Sequence, residues 1–470
     1  MNRRIKTITI FSLLIAFIPI YSQEKSDVPK YSLFRQNENY EYLQSGSNTS
    51  YKKDLFDPIK FIPINKKETI YISLGGQLRP RFEYFSNRNW ISDSDENFYS
   101  QRIAFHTDIV LGKHVRLFGE LYHGYTSHEK EFAQSDNLDF HQAFLDIKFS
   151  TGENSKITFR LGRQELAYGA ARLIGFREGP NIRRSFDASR VIYKVGSANI
   201  QAFYGKEVRP AFGSFDNEFT FFNSDVNNPQ LWGLYTQFKI KNFTGRNEIY
   251  YLGFQSNQSR FNDVFGEETR HSIGVRRYGK LGKRFSYNTE LIYQFGKIDQ
   301  SNISAFNIET DWYYQLINTS WKIKPGLKLE YTSGDNEIGD GKINTFNPLF
   351  VNPAYYSLAA TITPVNMVSI HPSVTMTPTE KLKLYFEWGI FWRASKNDGL
   401  YSPPRFISRQ MNGLSDKGLG NQLGFKATYE INRHLSFDLD MSYFIAGDFQ
   451  KSSGESANIF HLAPTFSYKF

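Results

Sequence analysis

Arginine is the residue type best placed to do chemistry in this chain, and it is crowded into two stretches. Gly75-Gly76-Gln77-Leu78-Arg79-Pro80-Arg81-Phe82-Glu83 puts Arg79, Arg81 and Glu83 on one parity, opposite Leu78 and Phe82. Arg102 shares a parity with His106 and Asp108, and Arg160 opposes Phe159 and Leu161. Arg163, Arg172, Arg177, Arg183, Arg184 and Arg190 follow in quick succession, and Arg393 sits on the polar parity of a later segment. A guanidinium stays charged at any working pH, and its planar fork grips a carboxylate with two hydrogen bonds. Together these residues read as an anion-attracting surface. For any single arginine the alternative is structural, because Glu83, Glu165, Asp187 and Glu387 are placed to brace the same surface as ion pairs.

Other chemistry is thin. The 9 His residues are scattered, with no i, i+4 pair or metal set. His106, His123 and His371 read as wall residues rather than ligands. Asp335, Glu337 and Asp340 offer the oxygen donors that Ca²⁺ takes, on a spacing that fits no known calcium loop. No nucleophile has a base beside it, so no enzyme, metal or cofactor is expected. Nothing points to nucleic acid. Cys is 0, which excludes disulfides and thiolate sites.

The elements that must position the arginines are β-strands. Between Lys381 and Ala394, Leu382, Leu384, Phe386, Trp388, Ile390 and Trp392 alternate with Lys383, Tyr385, Glu387, Gly389 and Arg393. That period of two belongs to a strand with one apolar and one polar face. Leu435 to Ile445 repeats the logic, with Ser436, Asp438, Asp440 and Ser442 on the polar side. The chain opens with Arg3, Arg4 and Lys6 before an apolar stretch too short for a comfortable membrane helix, which reads as a signal peptide over 1–22. Mean hydropathy is −0.48, and no later run approaches helical spanning length. An exported chain of this kind is soluble or a closed barrel, since only helices and closed barrels satisfy their backbone in lipid. The aromatic content of 17% favours the barrel, whose girdles and outer face take Tyr and Phe.

Connection lengths strengthen that reading. Gly112-Lys113, Gly196-Ser197, Lys280 to Lys283, Lys322 to Pro325, Thr377 to Glu380 and Asn432-Arg433 are brief. Between them lie long polar stretches at 85–100, 126–137, 165–188, 207–230, 256–269, 298–309, 334–365, 395–420 and 446–457. Short turns on one side and long loops on the other are the asymmetry of outer-membrane barrels. The expectation is an all-β, transmembrane antiparallel barrel of ~18 strands over 69–470, even-numbered as bacterial barrels are. Residues 23–68 form an N-terminal extension that is periplasmic or plugs the pore. The last strand ends Phe466, Tyr468, Phe470, the kind of terminus that barrel-assembly machinery reads.

The stretch Leu161-Gly162-Arg163-Gln164-Glu165-Leu166, with Tyr168-Gly169, Arg172-Leu173-Ile174-Gly175, Asn181, Arg184-Ser185-Phe186-Asp187 and Arg190, resembles the hallmark segment of the alginate-export outer-membrane family. Gly76 to Glu83 resembles that family's first strand, and Ser333-Gly334-Asp335 with Thr345 to Phe350 resembles a late extracellular loop. One departure stands out: Glu178-Gly179-Pro180 precedes Asn181 where relatives usually carry Trp. The resemblance implies an arginine-lined pore for a polyuronate, with Arg79, Arg163, Arg172, Arg184 and Arg190 on the family's arginine positions. From the residues themselves, Arg79, Arg81, Arg102, Arg160, Arg163, Arg172, Arg184, Arg190 and Arg393 are the expected path. The function expected is a passive outer-membrane channel for anionic oligo- or polysaccharide, with outer-membrane lipid around it and no cofactor. A general small-anion porin and a non-conducting, surface-binding barrel are the alternatives.

Overall fold

A closed wall of antiparallel strands is what these alternating segments build. The computed structural model describes residues 29–45, 53–128, 133–221, 228–317, 319–403 and 406–470; the expected signal peptide lies outside them. Among the described residues, 18 strands form the wall. The first half is β1 (Ile70–Ser86), β2 (Glu96–Leu111), β3 (Val115–Thr126), β4 (Asp136–Gly152), β5 (Ser155–Gln164), β6 (Phe186–Val195), β7 (Ala198–Glu207), β8 (Gln230–Phe238) and β9 (Arg246–Phe261). The second half is β10 (Val264–Leu281), β11 (Phe285–Ile298), β12 (Ser301–Tyr314), β13 (Lys324–Thr332), β14 (Met367–Met376), β15 (Leu382–Arg393), β16 (Gly418–Glu430), β17 (Leu435–Ala446) and β18 (Ile459–Lys469). Each pairs with its chain neighbours, and β18 returns to β1 with Gln77 opposite Lys469 and Ser86 opposite Phe460. Closure leaves no edge strand, so the backbone of the wall is paired within the sheet rather than to water.

The two faces sort by parity. Leu78 and Phe82 of β1, Phe386 and Trp388 of β15, and Leu423 of β16 are exposed on the outer face. Their alternates Arg79, Arg81, Glu83 and Gln422 are buried inside. The tight turns hold glycine where the backbone requires it: Gly112 between β2 and β3 has φ +68°, and Gly196 between β6 and β7 has φ +52°. A side chain at either would be strained.

Two expected long loops are absent. The stretches 256–269 and 298–309 are strand on both sides of a two-residue turn, at Asn262-Asp263 and Asp299-Gln300. Asn262 and Asp299 have φ +48° and +49°, the left-handed geometry that hairpin turns demand and Asn and Asp tolerate. Strands β9 to β12 therefore run past the apolar belt as largely polar hairpins, and their tips carry Phe261, Val264, Ile298 and Ile303 into a buried cluster with Ile343, Val365 and Tyr401. The short turn placed at Lys322 to Pro325 is the end of a longer connection from 315 to 323.

The interior is not open space. Residues 165–185 and 333–366 fold inward and zip together: Gly175 N donates to Phe350 O at 2.9 Å, and Phe350 N to Leu173 O at 2.8 Å. Leu166, Leu173, Ile174, Leu349 and Phe350 bury themselves against Phe186, Phe203, Leu231 and Phe254 on the inner wall. Apolar residues on an otherwise polar inner face thus pin the inward loops. A second apolar cluster near the outer rim joins Phe85, Trp90 and Phe98 to Phe391, Phe444 and Phe449.

Candidate functional site

The inward row begins where β1 and β2 lie side by side, with Arg79 and Arg102 opposite each other in register. Both reach the segment Glu178–Asn181 of the inward loop. Arg79 donates to Glu178 O and Pro180 O, each at 2.9 Å, and Arg102 to Pro180 O at 2.9 Å and to Asn181 O. Their Nη1 atoms share one oxygen of Glu178, each at 3.1 Å, and Arg183 Nε stands 3.0 Å from the other oxygen. Burial by itself would raise the Glu178 carboxyl, but Arg102, Arg183, Arg79 and Arg81 outweigh it and hold it well below the usual carboxylate range. Arg81 turns to Thr465 Oγ1 at 3.0 Å and to Glu83 at 3.5 Å, and Glu83 also meets His461 at 3.3 Å.

Further along the wall the arginines are braced. Arg160 grips Asp146 with two hydrogen bonds of 2.6 and 2.8 Å, its guanidinium 3.8 Å from the centre of the Phe144 ring. Arg190, opposite Arg160 in register, donates to the neutral Gln201 Oε1 at 2.6 and 3.0 Å and lies over Tyr168. Arg172 crosses to the far wall and meets Glu290 at 2.6 Å, Asp311 at 3.2 Å and Glu309. Arg184 pairs with Glu207 at 2.9 Å and donates to Gly175 O at 3.0 Å. Arg393 lies at the outer end of β15, donating to the carbonyls of Lys396, Asp398 and Leu414 at 2.8–3.1 Å. It staples the loop from 394 to 417.

One expected position is corrected. Arg163 shares its parity with Phe159 and Leu161, which are 46% and 56% exposed on the outer face. It closes on Asp187, opposite it in register, at 2.9 and 3.2 Å beneath residues 217–220. Side chains alternate strictly along a strand, so this pair belongs to the outer row at the rim, not to the pore. Two of the expected braces meet histidines. Glu165 takes His141 at 2.8 Å and Arg183 at 3.2 Å, and Glu387 takes His371 at 3.2 Å together with Tyr385.

Several inward residues escaped the sequence reading. Arg116 of β3 makes two hydrogen bonds to Asp108, at 2.7 and 2.9 Å, and its alternation with Val115 and Leu117 could have marked it. Arg183 was noted only as part of the cluster, and its contacts with Glu165 and Glu178 need the folded loop. The far wall carries Glu248, Glu290, Glu309, Asp311, Glu330 and Glu387 against Arg172, Arg276 and Lys328, so carboxylate predominates opposite the Arg79–Arg102 pair.

The N-terminal segment enters the same space. Arg35 donates to Gly76 O at 3.1 Å and to Phe470 O at 2.8 Å, across the seam where β1 meets β18. Gln36 O accepts from Arg116 at 2.8 Å, and Leu33 O from Arg183 at 3.0 Å. Phe56 packs its ring 5.3 Å from that of Phe470, and Asp54 meets His434 at 2.7 Å.

Fold and lining together define a channel-type barrel of the outer membrane. The chain belongs to the alginate export family, whose model matches residues 70–461. No match is found among curated proteins. Among solved structures it is similar to three Pseudomonas aeruginosa barrels. OpdO is 9% identical over 85% of this chain and 97% of its own, with a TM-score of 0.56. OccK8 (OprE) is 12% identical over 87% and 99%, with a TM-score of 0.55. OccK2 (OpdF), solved in complex with glucuronate, is 10% identical over 87% and 98%, with a TM-score of 0.54. At such identity the likeness is one of fold.

Proposed function

We propose that the protein is a passive outer-membrane channel for anionic oligo- or polysaccharides built of uronate units. The observation that carries this reading is the set of guanidinium groups on the inner parity of one side of the wall: Arg79 and Arg81 on β1, Arg102 on β2 and Arg190 on β6. A charged lining inside a low-dielectric wall concentrates counter-ions, and the family and the glucuronate-bound fold relative both support a uronate. Carboxylate on the far wall would orient a polyanion toward the arginine side. Flux would follow the gradient, so no step needs an energy source or a catalytic group. The terminal strand ending in Phe470 would be the element that barrel-assembly machinery recognises, after removal of residues 1–22.

A second reading draws on the N-terminal contacts. The hydrogen bonds of Arg35, Gln36 and Leu33 support a segment that narrows the periplasmic mouth, and a pore that conducts weakly until it moves. Both readings meet one experiment: single-channel conductance of the mature protein in a planar bilayer, titrated with oligouronate and with a neutral oligosaccharide. Anion-selective current blocked by uronate alone is the expected result. Current blocked by neither would favour a small-anion porin, and a silent bilayer would favour the closed barrel.

A further inference from the structure

We propose that Arg79, Arg102 and Arg183 form a subsite for the carboxylates of passing uronate units, and that Glu178 fills it as an internal stand-in which substrate displaces. The inference rests on the uronate-channel reading and deepens it.

Glu178 differs from the strand-borne aspartates that brace arginines in this wall. Asp108, Asp146 and Asp187 sit on rigid strands and take a bidentate fork at two oxygens, which is bracing geometry. Glu178 sits on a loop, and its side chain keeps 30% of its exposure while those of Arg79, Arg102 and Arg183 keep 4%, 1% and 4%. Glu178 is therefore the most exposed member of this cluster, although its Oε2, the oxygen beside Arg183, is buried. The trio also has donors to spare, since Arg79 Nε and Arg183 Nη2 find no hydrogen-bond partner. Two arginines crowd onto one carboxylate oxygen, an arrangement that a ligand with two well-placed oxygens can improve.

Displacement asks little of the loop. Arg79 and Arg102 hold its backbone through the carbonyls of Glu178, Pro180 and Asn181, so the segment stays fastened while the side chain swings out. Exchanging one carboxylate for another leaves the charge of the pocket unchanged, so no buried arginine is stranded at any point. The displaced Glu178 then stands beside the captured sugar as a like charge, ready to return. A site that binds by exchange and releases by exchange meets the demand of conduction, which needs entry and exit to be comparably easy.

The test compares full-length mature wild type with Glu178→Gln and Glu178→Asp in planar bilayers. The probes are a mannuronate trisaccharide and neutral maltotriose. Glu178→Gln removes the competing charge, and charge-assisted hydrogen bonds then favour uronate block by about ten- to a hundredfold. Block by maltotriose should not change. Glu178→Asp, its carboxylate drawn back by one methylene, should fall between and carries the test if the Gln variant does not fold. Uronate block of wild type that stays equal or weakens in both variants would overturn the subsite and leave the uronate channel standing. Conducting channels that uronate blocks in none of the three proteins would overturn both.

Discussion

Replacing Arg102 with Ala should loosen the inward loop at Glu178–Asn181 rather than simply remove a charge. Arg102 is fully buried and makes three contacts to one tetrapeptide: Asn181 O, Pro180 O at 2.9 Å and Glu178 Oε1 at 3.1 Å. Hydrogen bonds to a charged group are worth about 1.5–3 kcal/mol each. They do not add here, because Arg79 holds two of the same acceptors and can keep part of the grip. Truncating one partner of a buried pair costs about 3–5 kcal/mol. Taking the lower end for loop docking and 1.4 kcal/mol per tenfold, the docked state should lose roughly a hundredfold in population. Single-channel recording reads this as longer and more frequent excursions to a higher conductance. Arg102→Lys keeps the charge but loses the fork, and should fall between. The double variant with Arg79→Ala should lose less than the two single effects combined. Dwell times and conductance equal to wild type, in an Arg102→Ala protein whose heat-shifted gel mobility proves a folded barrel, would refute the reasoning.

Other expectations follow from the same geometry. Deleting residues 24–52 removes the hydrogen bonds of Arg35 to Gly76 and Phe470, and should raise conductance; an unchanged current would exclude the segment from the pore. Burial, with Asp398 and Asp263 nearby, pushes the Asp335 carboxyl of the 333–366 loop up to about 6, from an ordinary value of 3.8. An acid whose folded pKa is raised binds protons more tightly when folded, so this loop should gain local stability as pH falls from ~7 to ~4. Hydrogen exchange over 335–345 would read the gain, and Asp335→Asn should weaken the pH dependence, leaving the part carried by Asp398, whose carboxyl burial also raises. Placing Arg at Phe386, on the lipid face, should cost about 2–4 kcal/mol in urea unfolding from vesicles if that residue lies near the bilayer midplane. A cost under half that would put Phe386 nearer an interface.

The wall was legible because parity is a local property. Leu382 to Trp392 and Leu435 to Ile445 announce two faces without knowledge of any partner strand, and the order of short and long connections announces closure. Length was less legible. Strands β9 to β12 continue beyond the apolar belt, where most residues are polar and only a few, such as Phe261, Ile298 and Ile303, are buried apolar ones, and Asn262 and Asp299 turn them without the Gly or Pro cluster that usually marks a turn. The misplaced Arg163 was within reach, since it shares parity with Leu161; the motif around it outweighed that rule. The partners of Arg172 were not within reach. Glu290, Glu309 and Asp311 lie on strands far along the chain, and only the inward course of residues 165–185 brings the arginine across to them.

That inward course also explains why so many lumen arginines are paired. A loop carried into a pore brings polar backbone into a space where water is scarce, and its carbonyls need donors. Arg79, Arg102 and Arg184 supply them, each fastening several carbonyls while a carboxylate balances the charge. Fully paired arginines, such as Arg160 on Asp146, are structural and offer a passing anion little. The residues left to act on an anion are those whose partner is neutral or can leave. Among the described residues Arg190 meets an amide and an aromatic ring with no carboxylate in ion-pair reach, and the Arg79–Arg102–Arg183 trio meets a carboxylate on a loop. Arg190→Gln should therefore reduce anion selectivity, measured by reversal potential, more than Arg160→Gln does, although the two face each other in register. Equal losses would mean that pairing does not decide which arginine an anion feels.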